Sequence, residues 1–310
     1  MAFGILLGQI AIIFLEVMLG AVGVWCGIIT DRDSKFLSNF VMKLLLPFNM
    51  LAGAAVTGGG ELTRQAAIAF CILLVFFIAT SYLCRGISRL CGDTPGRTAV
   101  CACMGSLPNC GFIGMPLACA LLGNEVGTVY GAVAMAAYNV WFFTDITCLF
   151  RPGEKVQWKS FVTPTNLATV AMLVMLATGW QLPGTLQTFC KAVGGCTTPM
   201  ALMIVGVMLG SNSWLALLRE KFLYRITLLR GVVFPLVFMA VVYFLPLPNT
   251  LKVGMCVFAC APAGSLGAVL AKQTGIEEVL ASQSVAHSTL CMLVTVPVML
   301  MLAGTLFPLG

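Results

Sequence analysis

Ser106-Leu107-Pro108-Asn109-Cys110-Gly111-Phe112-Ile113-Gly114-Met115-Pro116 interrupts an apolar stretch long enough to span a bilayer, and Ala261-Pro262-Ala263-Gly264-Ser265-Leu266-Gly267 interrupts another in the second half of the chain. Proline has no N–H to give a helix, and glycine relaxes the backbone beside it. In lipid every backbone N–H and C=O needs a partner, so an interrupted spanning helix is expected only where it lines a protein-walled or watery cavity. Two interruptions at corresponding places in two halves are the sequence pattern of a transporter binding site. Proline kinks also occur in membrane helices that have no ligand nearby. The matched second copy turns the reading towards a site.

Working outward, the composition agrees with a membrane setting. Only 9% of the 310 residues are charged and 60% are hydrophobic, with a mean hydropathy of +1.01; a soluble chain carries about a quarter charged residues. The first apolar stretch is too long for a cleavable signal peptide, has no basic residue before it and shows no small-residue cleavage site. The net charge of +6 is spread one to three residues per loop, without an arginine-rich run, so nucleic acid is not an expected partner. Most of the 14 cysteines, among them Cys71, Cys101, Cys119, Cys148, Cys256 and Cys291, lie within apolar stretches and read as small hydrophobes. Whether Cys190 and Cys196 pair is open at this point, and no metal or cofactor motif is present.

A spanning helix needs about 20 apolar residues. Ten such stretches are found, near 3–28, 36–57, 65–88, 98–122, 127–149, 162–180, 197–214, 223–245, 250–272 and 279–303. Alternate connections carry Arg32, Lys35, Arg85, Arg89, Arg97, Arg151, Lys155, Lys159, Arg219, Lys221, Arg225 and Lys272; the others carry only Arg64, Lys191 and Lys252. The basic side is cytoplasmic, which puts both termini outside. Pro47 and Gly53 recur as Pro199 and Gly206, Pro108 as Pro262, and Gly123 as Gly275, at offsets of 152 to 154 residues. The expected fold is therefore all-α and polytopic. Residues 1–150 form a first five-helix repeat, 151–161 a cytoplasmic linker and 162–310 a second repeat. Because five is odd, the second repeat inserts upside down, the inverted architecture of secondary transporters. No GxxxxGK[ST] loop supports an ATP-driven pump.

In this arrangement fresh half-helices begin near Cys110 or Gly111 and near Gly264 or Ser265 and face each other at the midplane. Helix N-termini carry unpaired N–H groups and about half a positive charge. Two such ends favour an anion without a dedicated arginine. The expected substrate-binding residues are Pro108, Asn109, Cys110 and Gly111, then Pro262, Ala263, Gly264 and Ser265, with Tyr138 and Asn139 of the fifth stretch facing the same place. Ionisable groups inside a membrane are functional by default, so Glu16, Asp145 and His287 are candidates for coupling to protons or sodium. Each has an alternative as a paired or hydrogen-bonded packing residue. Lys43 and Arg230 lie about two turns in from the basic side and read as anchors whose long side chains reach back to the headgroups.

The run Asn109-Cys110-Gly111-Phe112-Ile113-Gly114-Met115-Pro116-Leu117 resembles the signature of the auxin efflux carrier family. Leu46-Pro47-Phe48 and the stretch Ala281–Leu290 add to the likeness, which covers nearly the whole chain. The family includes plant auxin exporters and bacterial transporters of malonate and related acids, within a superfamily that takes in sodium/bile-acid symporters. The resemblance implies organic-anion transport with Asn109 as a polar substrate contact at crossed, broken fourth and ninth helices. It also implies a scaffold of helices 1, 2, 6 and 7, a moving domain of helices 3–5 and 8–10, and a homodimer. Plant members place an asparagine near the second crossing where this chain has Ala263, Gly264 and Ser265. They also carry a long cytoplasmic loop where residues 150–161 are short. A bacterial-type member of the inner membrane is the expectation. The rival readings are a sodium/proton antiporter of similar architecture, which needs acidic residues at the crossing, a ligand-binding membrane sensor, and an intramembrane enzyme using Glu16 and His287, for which no motif such as HExxH speaks.

Overall fold

The computed structural model of the chain describes residues 2–53, 59–153, 162–210 and 219–308, and nearly all of them are helical. In chain order the helices are α1 (Ala2–Trp25), α2 (Asp31–Phe40), α3 (Leu46–Gly53), α4 (Gly59–Leu90), α5 (Pro95–Ser106), α6 (Met115–Leu122), α7 (Asn124–Trp141), α8 (Thr147–Phe150), α9 (Pro164–Thr178), α10 (Gly184–Gly195), α11 (Thr197–Gly210), α12 (Lys221–Leu228), α13 (Phe234–Tyr243), α14 (Asn249–Cys260), α15 (Ser265–Thr274) and α16 (Glu278–Leu306). Single π turns at Val41–Leu45, Phe142–Ile146 and Leu229–Val233 carry α2 into α3, α7 into α8 and α12 into α13. A fourth, Cys110–Gly114, leads into α6.

Among the described residues, six helices are long and apolar enough to cross a bilayer: Phe36–Gly53, Gly60–Leu90, Asn124–Phe150, Gly184–Val207, Lys221–Tyr243 and Glu278–Leu306. Shorter apolar helices occupy Ala11–Trp25, Cys110–Leu122, Pro164–Thr178 and Asn249–Cys260. The chain is a multi-pass membrane protein. Large apolar side chains such as Leu15, Val75, Leu83, Val294 and Val298 point outward from these helices, as lipid-facing positions do.

The seventh stretch begins earlier than the sequence indicates. Its helix starts at Gly184, directly after Pro183, because Cys196 keeps a right-handed helical backbone (φ −72°, ψ −14°) and passes α10 into α11. Pro199 falls in the first turn of α11, a position that tolerates proline, at the cost of one bond back to the turn before Cys196. The ends expected at 57 and 214, and the linker residues 154–161 with Lys155 and Lys159, lie outside the described residues.

The helices form two compact units. The first comprises residues 1–70, 111–136 and 161–211. Here α1 and α11 meet backbone to backbone, since a side chain on Gly20 would strike Met203 O and one on Gly206 would strike Val17 O. Such glycine contacts let membrane helices approach closely. The second unit comprises residues 71–110, 137–160 and 212–310. Its interior includes Phe76 on Phe238, ring centroids 4.7 Å apart, and both interrupted segments around Pro108 and Pro262.

Candidate functional site

The site is built from two proline-ended helices. A residue before proline is pushed out of the helical region. Leu107 accordingly sits at φ −99°, ψ 118° after the last turn of α5, and Ala261 at φ −64°, ψ 146° after α14. Both chains then run extended for about three residues and pair. Asn109 N–H donates to Pro262 O at 2.7 Å and Gly264 N–H to Leu107 O at 3.0 Å, making a one-step antiparallel bridge centred on Pro108 and Ala263. Helical structure resumes at Cys110 on one side and Ser265 on the other. Ala263 N–H donates to Ser288 Oγ at 3.1 Å, so α16 also supports the bridge. A side chain on Gly267 would run into Cys103 Sγ; glycine there seats α15 on α5.

Four helix ends therefore meet in one place. The incoming C-termini of α5 and α14 present carbonyls, and the outgoing segments present N–H groups. The start of α15 has no side-chain cap. The carbonyls are taken by Arg230, which the sequence alone places as a headgroup anchor. Arg230 does not reach back to headgroups. It is 1% exposed and turns inward, its Nε donating to Ala261 O at 2.9 Å, one terminal nitrogen to Ser106 O and the other to Phe258 O, each at 2.8 Å. Its length suits either direction, and the direction is set by the carbonyls that the prolines leave without helical donors. The signal in the sequence is an arginine inside a membrane span, where ionisable residues are functional by default.

Tyr138 enters the same place from α7. Its ring lies on Phe142, with centroids 5.6 Å apart, and its hydroxyl is buried without a hydrogen-bond partner among the described residues. A methyl group on Gly264 would lie 3.1 Å from that hydroxyl and 3.0 Å from Pro108 O, so glycine is what admits the phenol to the start of α15. Asn109 is 5% exposed, while Asn139 and Ser265 are half-buried. Pro108, Asn109, Cys110, Pro262, Ala263, Gly264, Ser265, Tyr138 and Asn139 all belong to the second unit; Gly111 begins a segment of the first.

The ionisable candidates disperse. Asp145 is ion-paired to Arg85. His287 is buried, with Nδ1 2.7 Å from Thr227 Oγ1 and its ring edge-on to Tyr224 at 4.6 Å. It lies one residue from Ser288, the acceptor of the Ala263 N–H. Glu16 is half-buried in α1, within the first unit. Cys190 and Cys196 are both free thiols, and no group of three or more His, Cys, Asp or Glu residues able to hold a metal occurs among the described residues.

Over residues 5–157 and 149–300 the chain matches the family described as membrane transport protein. It is also similar to an uncharacterized transporter of Methanothermobacter thermautotrophicus, at 25% identity over 91% of this chain and 93% of that one. The chain belongs to the membrane transport protein family and is a transporter rather than an enzyme.

Proposed function

We propose that this membrane transport protein is a secondary or facilitative carrier of a small organic anion, such as malonate or another carboxylate, working by alternating access. The observation that carries the reading is the bridge at Pro108 and Ala263. There, among the described residues, the start of α15 has no side-chain cap, the Tyr138 hydroxyl is unpartnered, and the buried charge is the cation Arg230. Hydrogen-bond donors without acceptors beside a positive centre suit a carboxylate. In this reading Asn109 and Tyr138 hold the anion, with Asn139, Ser265 and the backbone at Cys110, Gly111 and Gly264 around it. Ten spans form two inverted repeats whose broken fourth and ninth helices cross at the bridge. The crossing is carried past a scaffold of the first, second, sixth and seventh spans, in a homodimer of a bacterial inner membrane with both termini extracytoplasmic. Coupling to protons or sodium, where it occurs, falls to Glu16, Asp145 or His287, and His287 is favoured by its place beside Ser288.

The test is solute counterflow in proteoliposomes with a panel of labelled carboxylates, including malonate and indole acetate. One acid is expected to accumulate, and Asn109→Ala is expected to abolish that signal while the protein remains monodisperse. Normal transport by Asn109→Ala refutes the site, and no exchange of any acid by folded protein refutes the anion reading.

A further inference from the structure

We infer that Arg230 gives the crossing one fixed positive charge, so that the carrier loaded with a singly charged anion crosses the membrane field neutral and the empty carrier crosses it as a cation. The inference rests on the anion reading above and adds the charge borne by each half of the cycle. A helix dipole has equal and opposite ends and brings no net charge. What remains at the crossing is the guanidinium, which keeps its proton throughout the physiological range. Its three partners are neutral carbonyls, and it forms no ion pair among the described residues. Among the described carboxylates of the same unit, Asp93 is engaged with Arg225, Asp145 with Arg85, and Glu220 and Glu277 with Arg97, while Glu278 stands at the first turn of α16. Lys252, the other buried cation among the described residues of this unit, lies in the first turn of α14 and gives its ammonium to Tyr243 O at 3.1 Å, at the end of α13. Because Arg230 is bonded to the carbonyls that precede both prolines, it travels with the crossing.

The consequence concerns direction. An interior-negative potential pulls the empty, cationic carrier inward and leaves the loaded one unaffected, so it drives net export of a monoanion. One unit charge gains about 2.3 kcal/mol per 100 mV. Divided over a symmetric barrier, this changes a translocation rate roughly sevenfold.

The experiment sets the voltage on proteoliposomes with potassium gradients and valinomycin and compares two modes. Counterflow uses only the loaded carrier, whereas net efflux needs the empty return. With labelled indole acetate, counterflow is expected to change less than about twofold over 100 mV and net efflux roughly sevenfold. With malonate, a dianion at neutral pH, counterflow itself is expected to respond. Arg230→Gln should make indole-acetate counterflow voltage-sensitive, and Arg230→Lys should keep it insensitive. If Arg230→Gln does not fold, the comparison on the unaltered protein still decides. Exchange of the monoanion that responds sevenfold overturns the fixed charge while leaving the anion reading intact; no exchange of any acid overturns both.

Discussion

Replacing Tyr138 with phenylalanine separates a substrate contact from a structural one, because the two roles move stability and affinity in opposite directions. The hydroxyl is buried and makes no hydrogen bond among the described residues, while the ring is held independently on Phe142. A buried hydroxyl without a partner costs the folded state about 1–3 kcal/mol. Tyr138→Phe removes that penalty and keeps the ring, so the empty protein should be unchanged or up to about 1 kcal/mol more stable. In the loaded protein the same hydroxyl is expected to donate to a carboxylate, a bond worth about 2 kcal/mol. Its loss weakens apparent affinity roughly 30-fold. The assays are concentration-dependent counterflow and thermal unfolding in detergent, without and with the transported acid. The expected pattern is an equal or higher midpoint without ligand, a smaller ligand-induced rise, and a half-saturating concentration higher by about 30-fold. A lower midpoint combined with unchanged affinity refutes the reasoning, since it means that the hydroxyl serves the fold.

Two further outcomes follow from packing and charge. Gly206→Val forces α1 and α11 apart, because the new Cβ meets Val17 O; it should destabilise the protein by about 3 kcal/mol or more, whereas Gly86→Ala, with open space at its Cβ, should be neutral or slightly stabilising. Thermal midpoints of the two variants give the comparison, and equal midpoints contradict the close approach. Asp93→Asn leaves the partly buried Arg225 without its counter-charge and should cost about 2 kcal/mol, and adding Arg225→Met should restore most of the loss in a double-mutant cycle.

The sequence carries what depends on one residue's backbone chemistry, and less of what depends on where a side chain turns. Pro108 and Pro262 exclude the preceding residue from a helix, and α5 and α14 stop at Ser106 and Cys260 for that reason. The membrane setting follows from composition in the same direct way. Helix ends marked by milder signals are harder to read. Pro183, Gly184, Gly194 and Gly195 look like a loop in the sequence, yet each is compatible with a helix beginning at residue 184. A side chain on Gly194 would lie 2.6 Å from the Asn49 backbone, so that glycine serves the contact of α10 with α3. Arg85 and Asp145 are 60 residues apart, and no local pattern joins them. Arg230 is the plainest case. Six bonds of side chain reach a headgroup or a carbonyl equally well, and the choice rests on partners 28 to 124 residues away.

That choice also bears on the rival antiporter reading. At an effective dielectric of about 20, a cation roughly 6 Å from a fixed guanidinium is repelled by about 3 kcal/mol, which weakens its binding roughly a hundredfold. A sodium or proton site at the crossing therefore needs a carboxylate to offset Arg230. The candidate acid described in this unit, Asp145, is held by Arg85, and releasing it to a cation leaves Arg85 without that counter-charge in a part-buried place. An anion meets neither obstacle, since the same charge attracts it and the uncapped start of α15 supplies donors. The two readings thus predict opposite signs for one substitution. Neutralising Arg230 weakens binding of an anion and strengthens binding of a cation, and a detergent-phase titration of Arg230→Gln with the transported acid and with sodium tells them apart.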